Sequence, residues 1–393
     1  MRFLSMSYLL LGTLLTAGGY GSTFLISAWF RLHGGSDIET GHALSMALVG
    51  TLIGVPIVGW GAGKMDAARL AAIAALVIAC GYAVLGNLHG LEPGYLPRLA
   101  VLLMGIGWGM FYLGAPLALS ERLNDAERGS GFTLFSAFQM TGICGIPVMQ
   151  SILIAQANLS LQITFLVVAA MLAVASFLLL LFGRREPRPL YERVFRSWVR
   201  KLPILLAGPA RRPVIMVGLG GAVFSGMMAF QVSLTEGTDA SAGVFFFVHA
   251  ATAVTTRLML FRYLASWPRQ PLIIGLLGCL IMGLVCLSGV ALHPAFHIVA
   301  AMLTGAGYGL LYPVIQTWAV NDSQPQHRHA VLTWFVVSYF VGIFGFPALG
   351  GWLLVVAGKT WLIGSLVILA MIELGVGVIR RPRTAKVVAS TLE

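Results

Sequence analysis

Long apolar runs of about 20 residues follow one another along almost the whole chain, and they limit the folds that it can adopt. A helix of that length crosses the roughly 30 Å hydrocarbon core of a bilayer. The composition agrees, because 58% of the residues are hydrophobic and only 10% are charged, which is too apolar for a soluble globular protein. The sequence therefore predicts an all-α membrane protein with twelve transmembrane helices.

One glycine-rich unit occurs twice. Its clearest part is 104–116, and a related run lies 200 positions later. The matched positions are Gly105 and Gly305, Gly107 and Gly307, Trp108 and Tyr308, Gly109 and Gly309, and Tyr112 and Tyr312. Beyond the next loop, Gly142, Gly145 and Pro147 recur as Gly342, Gly345 and Pro347. Duplicated helix bundles are common in secondary transporters, so we predict two pseudo-symmetric six-helix bundles.

The predicted helices divide the chain into two bundles, a linker and a tail. Helices 1 to 6 lie in 1–183 and helices 7 to 12 in 213–380, with an outer loop at 31–41 and helix 5 beginning near Ser130. The linker, 184–212, carries nine basic residues and two acidic ones among apolar residues. It is long for a connection between packed helices, so we predict that part of it is an amphipathic helix on the inner leaflet. Residues 381–393 form a polar, basic tail.

The distribution of basic residues predicts the orientation. In this topology 22 of the 25 Lys and Arg lie on the side of both termini, leaving only Arg31, Arg98 and Lys359 opposite. The positive-inside rule makes the basic side cytoplasmic, and we expect a bacterial-type inner (plasma) membrane. The net charge of +11 is then explained by orientation and by contact with anionic membrane lipid, not by nucleic-acid binding.

Three features resemble other kinds of site and are given a simpler interpretation. The four cysteines lie in apolar runs without metal-ligand spacing, and we interpret them as reduced packing residues. His327 and His329 alternate in a polar loop, where solvation is the simpler explanation. The repeated glycines follow no strand, which argues against a nucleotide-binding loop. We therefore expect no metal, no cofactor, no catalytic residues and no enzyme activity.

The motifs resemble those of the major facilitator superfamily over essentially the whole chain. They are the duplicated Gly-x-Gly-(Trp/Tyr)-Gly-x-x-Tyr runs, the loop 125–129, and the helix 11 run 342–351 with Pro347, Gly350 and Gly351. The resemblance to efflux members implies an antiporter, because a Gly–Pro run in helix 5 typifies them. Helix 5 has Pro147 without the two following glycines, so its copy of the pattern is incomplete.

The same resemblance implies gating residues. The family's loop after helix 2 carries an acid and basic residues, matched by Asp66 and Arg69, although the acid is displaced. A carboxylate there, near helix N-termini, would hold the cytoplasmic side shut by charge pairing. Arg257 matches the family's arginine near the inner end of helix 8, and positive-inside anchoring explains it equally well.

Uncharged polar residues in the helices that line the family's central cavity are the substrate-binding candidates. They are Tyr20, Tyr112, Gln139, Gln231, Tyr308, Tyr312, Gln316 and Tyr339. Symmetric tyrosines and amides would offer hydrogen bonds and ring faces to an uncharged or amphipathic solute.

Two titratable residues are the coupling candidates. His249 in helix 8 has a side chain that suits proton exchange, with a packed histidine as the alternative. Glu373 is an acid inside an apolar run, and the alternative for it is a structural partner for Arg380 or Arg381.

Together these features predict a secondary active transporter of a small organic solute, working by alternating access. Proton-coupled export of a drug, a sugar or a metal-chelating metabolite such as a siderophore is the favoured hypothesis, with uptake or facilitated diffusion of a polar metabolite as the alternative. A receptor with a transporter fold is a third class. We expect a monomer whose partners are the small-molecule substrate and membrane lipid.

Overall fold

The computed structural model describes residues 2–61, 64–92, 94–120, 122, 125–185, 202–264, 267–323 and 328–379. The predicted amphipathic helix of the linker falls largely in 186–201, outside the described residues, as do the predicted tail, Arg380 and His327.

Six long helices form the first bundle, and their numbers match the predicted helices. They are α1 (Arg2–Gly21, continued after a 3-10 turn at Ser22–Leu25 by Ile26–Leu32), α2 (Asp37–Gly61), α3 (Ala67–Asn87), α4 (Tyr95–Ser120), α5 (Asp125–Ala157) and α6 (Leu161–Arg185).

A short helix at Leu202–Ala207 precedes the second bundle. This bundle consists of α7 (Arg211–Ala229, continued by Gln231–Thr235), α8 (Ala242–Leu264), α9 (Arg269–Leu287), α10 (Ala295–Asn321), α11 (Arg328–Val356) and α12 (Lys359–Val378). The predicted all-α fold of two six-helix bundles is confirmed. We call the end of the bundles where α1 begins and where α2 joins α3 the basic end, and the other end the opposite end.

Most of the long helices can cross a membrane by length and composition. Within the described residues, 11 helices meet that condition. The remaining long helix, α8, carries Arg257 and Arg262 and packs between α5 and α10.

The start of α2 differs from the prediction for a clear reason. The backbone N–H of Ser36 donates to Glu39 Oε2 at 2.8 Å, and the N–H of Glu39 donates back to Ser36 Oγ at 3.3 Å. This reciprocal capping box satisfies donors that the first turn of a helix leaves free, so α2 begins at Asp37. The predicted outer loop at 31–41 is therefore wrong in extent, since α1 also continues to Leu32.

Glycines bring the helices of each bundle into backbone contact in the same way. A Cβ on Gly142 of α5 would lie 2.0 Å from the carbonyl oxygen of Leu14 in α1. In the second bundle, a Cβ on Gly342 of α11 would lie 2.0 Å from the carbonyl oxygen of Gly218 in α7. The repeat therefore has an offset of 200 in α5 and α11 but 204 in α1 and α7.

Two helix pairs make the most extensive contacts between the bundles. One pair is α2 with α11, and the other is α5 with α8. The candidate site lies between these two contacts.

Candidate functional site

An aromatic layer fills the middle of the interface between the bundles. Tyr20 of α1 stacks on Trp108 of α4 with ring centroids 4.7 Å apart. In the second bundle Phe224 of α7 stacks on Tyr308 of α10 at 4.4 Å. All four side chains are buried, and the two stacks are related by the duplication. Phe24 of α1 joins the two stacks, because its ring makes an edge contact with that of Phe224 at a centroid distance of 5.7 Å.

Four predicted tyrosines meet in one group, the tyrosine cluster: Tyr112, Tyr308, Tyr312 and Tyr339. The hydroxyl oxygens of Tyr112 and Tyr312 are 2.6 Å apart and form a hydrogen bond from one bundle to the other. The hydroxyl of Tyr308 donates to that of Tyr339 at 3.4 Å, and the ring of Tyr339 lies 5.1 Å from that of Tyr312. The equivalent tyrosines of the repeat thus face each other across the interface.

The three glutamines do not join the cluster. Gln231 is buried near the opposite end, where its Nε2 donates to the carbonyl of Met227 at 3.0 Å and its Oε1 lies 2.9 Å from His297 Nε2. These partners all belong to the second bundle. Gln139 on α5 and Gln316 on α10 are half-buried.

A cavity of about 360 Å³ lies between α5 and α8, beside the tyrosine cluster. Both bundles line it, through Leu14, Ala137, Phe138, Met140, Thr141, Cys144, Ala253, Val254, Arg257 and Gly309. These residues lie near the midpoints of their helices or displaced toward the basic end. A size above 300 Å³ and a mostly apolar lining are typical of small-molecule sites. Among them, only Arg257 was predicted from the sequence to have a functional role.

Arg257 reaches from α8 to both bundles. Its Nη1 donates to Ser136 Oγ of α5 at 3.2 Å, and its Nη2 donates to the carbonyl of Gly309 in α10 at 2.7 Å. Arg257 therefore contributes to the contact between the bundles, and its predicted gating role stays a prediction.

Asp66 forms its ion pair inside the first bundle. It caps α3 by accepting from the N–H of Ala68 at 3.1 Å, and it accepts from Arg122 Nη2 at 2.8 Å. The guanidinium of Arg122 lies 4.6 Å from the ring centroid of Phe182 and also donates to the carbonyl of Ala118. Asp66 thus joins α3, α4 and α6, while the predicted gating residue Arg69 has an exposed side chain. Gating by Asp66 and Arg69 stays a prediction.

The coupling candidates occupy separate apolar sites in the second bundle. His249 is buried beside Phe245 and Phe224, and its Nδ1 lies 3.1 Å from Thr304 Oγ1. The Thr304 hydroxyl donates to the carbonyl of Ala300, so it accepts a hydrogen from Nδ1. Glu373 is fully buried against Gly220 of α7, and within the described residues neither carboxylate oxygen has a hydrogen-bond partner. Its proposed partners Arg380 and Arg381 are outside that part of the chain.

Polar contacts join the two bundles at the opposite end. The Ser233 hydroxyl lies 2.9 and 3.0 Å from the two carboxylate oxygens of the buried Asp37. Within the second bundle, Lys359 donates to the carbonyl of Glu236 at 2.6 Å. Arg31 pairs with the exposed Glu236 carboxylate and holds its pKa below the usual range. This end is closed, and no motif in the sequence predicted these partners.

Glycines at the same end bring the backbones of α2 and α11 into direct contact. A Cβ on Gly41 of α2 would lie 2.3 Å from the carbonyl oxygen of Pro347 in α11. A Cβ on Gly351 would lie 2.1 Å from the carbonyl oxygen of Asp37. The Pro-x-x-Gly-Gly run of α11 therefore packs directly against the start of α2.

Comparison with known proteins identifies relatives of this arrangement. The model of the Major Facilitator Superfamily matches residues 9–288. No curated protein sequence is significantly similar to the chain.

Solved structures share the fold at low sequence identity. The nucleoside transporter NupG has a TM-score of 0.72 and 16% identity, covering 95% of this chain and 99% of its own. A D-xylose–proton symporter has a TM-score of 0.72 and 18% identity, with 95% and 97% covered. The peptide transporter POT in complex with sulfate has a TM-score of 0.69 and 13% identity, with 95% and 94% covered.

Proposed function

The chain belongs to the Major Facilitator Superfamily and is an integral membrane transporter of small solutes, and we propose that it is a secondary active transporter working by alternating access. Its two bundles, 1–183 and 213–380, rock about the tyrosine cluster, joined by the linker 184–212 and followed by the tail 381–393. The protein is a monomer in a bacterial-type inner membrane, with both termini in the cytoplasm.

One observation carries this proposal. A cavity lined by both bundles lies near the middle of the helices, and polar contacts between the bundles close the opposite end. Such an arrangement is expected of a transporter whose site opens alternately to each side, because a site between two bundles is closed off at the end where the bundles touch. With the basic end cytoplasmic, the described state is closed to the outside.

Proton-coupled export of a small organic compound is the proposed direction, with His249 as the proposed proton site and Asp66, Arg69 and Arg257 as gating residues. Uptake is the second candidate. It is favoured by the fold similarity to a D-xylose–proton symporter and by the cavity lining, which contains no carboxylate among the described residues.

A reversible lock at the opposite end tests alternating access. In a variant without the four native cysteines, Asp37→Cys and Ser233→Cys replace side chains that already lie 2.9 Å apart. Proteoliposomes receive a defined mixture of organic acids, nucleosides, sugars and cationic dyes under an imposed pH gradient, and mass spectrometry measures what crosses. We expect a transported compound, loss of its flux on oxidation, and recovery on reduction.

The single variant Ser233→Cys is the matched control and should be insensitive to oxidation. Equal flux in the oxidised and reduced double variant, once the disulfide is verified, would refute alternating access. If no compound in the mixture exceeds its leak into empty liposomes, the transport proposal itself fails for these solute classes.

A further inference from the structure

The cavity between α5 and α8 contains a positive charge whose presence there the proposed gating role does not explain. Among the described residues that line it, Arg257 is the single charged one, and the others are apolar or small. Arginine keeps its charge under physiological conditions, and a charge held inside a membrane protein is normally paired or faces a polar path. Within the described residues, Arg257 has a hydroxyl and a carbonyl as partners but no carboxylate.

The guanidinium also has hydrogen-bonding capacity left over. It carries five N–H donors, and its two hydrogen bonds to Ser136 and Gly309 use Nη1 and Nη2. The buried Nε has no hydrogen-bond partner in the described part of the chain. An anionic oxygen would satisfy this donor, and planar carboxylates match the fork of a guanidinium particularly well.

The other walls of the cavity define what the anion would be attached to. Leu14, Phe138, Met140 and Val254 offer apolar surface, and Thr141 adds one hydroxyl. Gly309, which accepts from Arg257, follows Tyr308 and lies about one turn before Tyr312 in α10, so the anion site adjoins the tyrosine cluster. The cavity of about 360 Å³ suits a solute with a single aromatic or short aliphatic body.

From this juxtaposition we propose that the transported solute is an amphipathic organic anion, with its carboxylate on Arg257 and its apolar body against Phe138 and Met140. This inference rests on the proposed function, which supplies the reason for a solute to enter the cavity. It narrows the uncharged or amphipathic solute expected from the tyrosines and amides to an amphipathic anion.

Probes that differ only in charge test the proposal. The full-length protein is reconstituted in phosphatidylcholine nanodiscs, and its melting temperature is measured with benzoate, naphthoate or hexanoate and with the corresponding amides. Ligands that bind the folded state raise the melting temperature in a saturable way. We expect at least one carboxylate to do so while its amide does not. An equal response to acid and amide, or no response to any of the acids, overturns the proposal.

Variants assign the effect to Arg257. Arg257→Gln should raise the carboxylate concentration needed for half-saturation by about tenfold or more, as expected for a lost hydrogen bond to a charged group. Arg257→Lys should retain part of the response, and the exposed Arg98→Gln on α4 should retain all of it. An unchanged response in Arg257→Gln would overturn the assignment. The acid–amide comparison on the unmodified protein remains decisive if that variant does not fold.

Two further arms separate the possible sources of the anion and the two proposals. If phosphatidylglycerol in the nanodisc raises the melting temperature through Arg257 and no soluble carboxylate does, the occupant is a lipid headgroup and the substrate assignment is overturned. A carboxylate that binds through Arg257 but does not cross proteoliposomes would refute transport and leave the anion site standing. Flux of the amide without flux of the acid would refute the anion site and leave transport standing.

Discussion

The closed opposite end depends on two glycines that contact the other bundle, and this gives a sharp prediction. Gly351 of α11 and Gly41 of α2 each face a backbone carbonyl oxygen of the partner bundle, with hypothetical Cβ distances of 2.1 and 2.3 Å. Real Cβ atoms do not approach backbone that closely, so Gly351→Ala must push α2 and α11 apart at this end. Since the clash is between bundles, it disappears once they separate there.

The magnitude follows from the kind of atom that is hit. Overpacking against well-packed surroundings costs about 1–3 kcal/mol. A free-energy change of that size shifts the ratio of closed to open opposite ends by about 5- to 150-fold. The free energy of unfolding is expected to change by less than the free-energy difference between the closed and open states, because the open state accommodates the methyl group.

Two glycines of the same helix provide matched controls. A Cβ on Gly345 would meet only Leu48 Cδ2, at 3.6 Å, so Gly345→Ala should leave the ratio unchanged. A Cβ on Gly342 would clash at 2.0 Å with Gly218 of its own bundle, so Gly342→Ala should lower the melting temperature without favouring the open opposite end.

Double electron–electron resonance between two spin labels reports the ratio of closed to open opposite ends directly. Spin labels at the exposed His89 and Leu292 lie in connections of the first and second bundle at the opposite end. On a background without the four native cysteines, Gly351→Ala should add or enlarge a longer distance component. An unchanged distribution accompanied by a loss of melting temperature would show that the clash is absorbed within the bundles, and the reasoning would be refuted.

Three other predictions follow from single contacts. Tyr112→Phe and Tyr312→Phe should each change the free-energy difference between the closed and open states by about 1 kcal/mol. The double variant should show no larger change than either single variant, and distance measurements on the three variants test this. Asp66→Asn should lower the free energy of unfolding by about 1.5–3 kcal/mol, because the pair with Arg122 is mostly buried; a loss below about 0.5 kcal/mol in chemical denaturation would contradict this. His249→Ala should weaken flux driven by a pH gradient while leaving gradient-free exchange intact, and unaltered gradient dependence would remove His249 from the coupling mechanism.

The helices were predictable from the sequence because apolar length is a strong constraint in a bilayer, and their ends were not. Hydropathy placed the start of helix 2 after the polar residues of 31–41. In the structure Ser36 and Glu39 are the capping box that begins α2. The S-x-x-E signature of a capping box is present in the sequence, but a polar stretch between apolar runs also resembles a loop, and hydropathy alone does not separate the two.

The tyrosine cluster was predictable for a different reason. Tyr112 and Tyr312 occupy the same position of a duplicated unit, and symmetry about the interface brings equivalent residues together. Symmetry did not identify the cavity, because Phe138, Met140 and Cys144 resemble ordinary packing residues and no spacing rule shows which face of α5 looks toward α8. The single offset of 200 also misaligns α1 and α7, which follow an offset of 204.

The contacts that close the opposite end differ in what each can contribute. The Arg31–Glu236 pair is exposed and screened by salt, so it adds little. Because Arg31 lowers the pKa of Glu236, that small contribution is present above the unfolded pKa and is lost as the pH falls through the folded value. Asp37 and Ser233 are buried, so separating the bundles there must rehydrate a carboxylate and a hydroxyl. Closure therefore depends mainly on the Asp37–Ser233 contact and on the glycine packing around it, and neither lies near the cavity. A solute bound at Arg257 can influence this end only by moving one bundle relative to the other, which is the coupling between distant sites that alternating access requires.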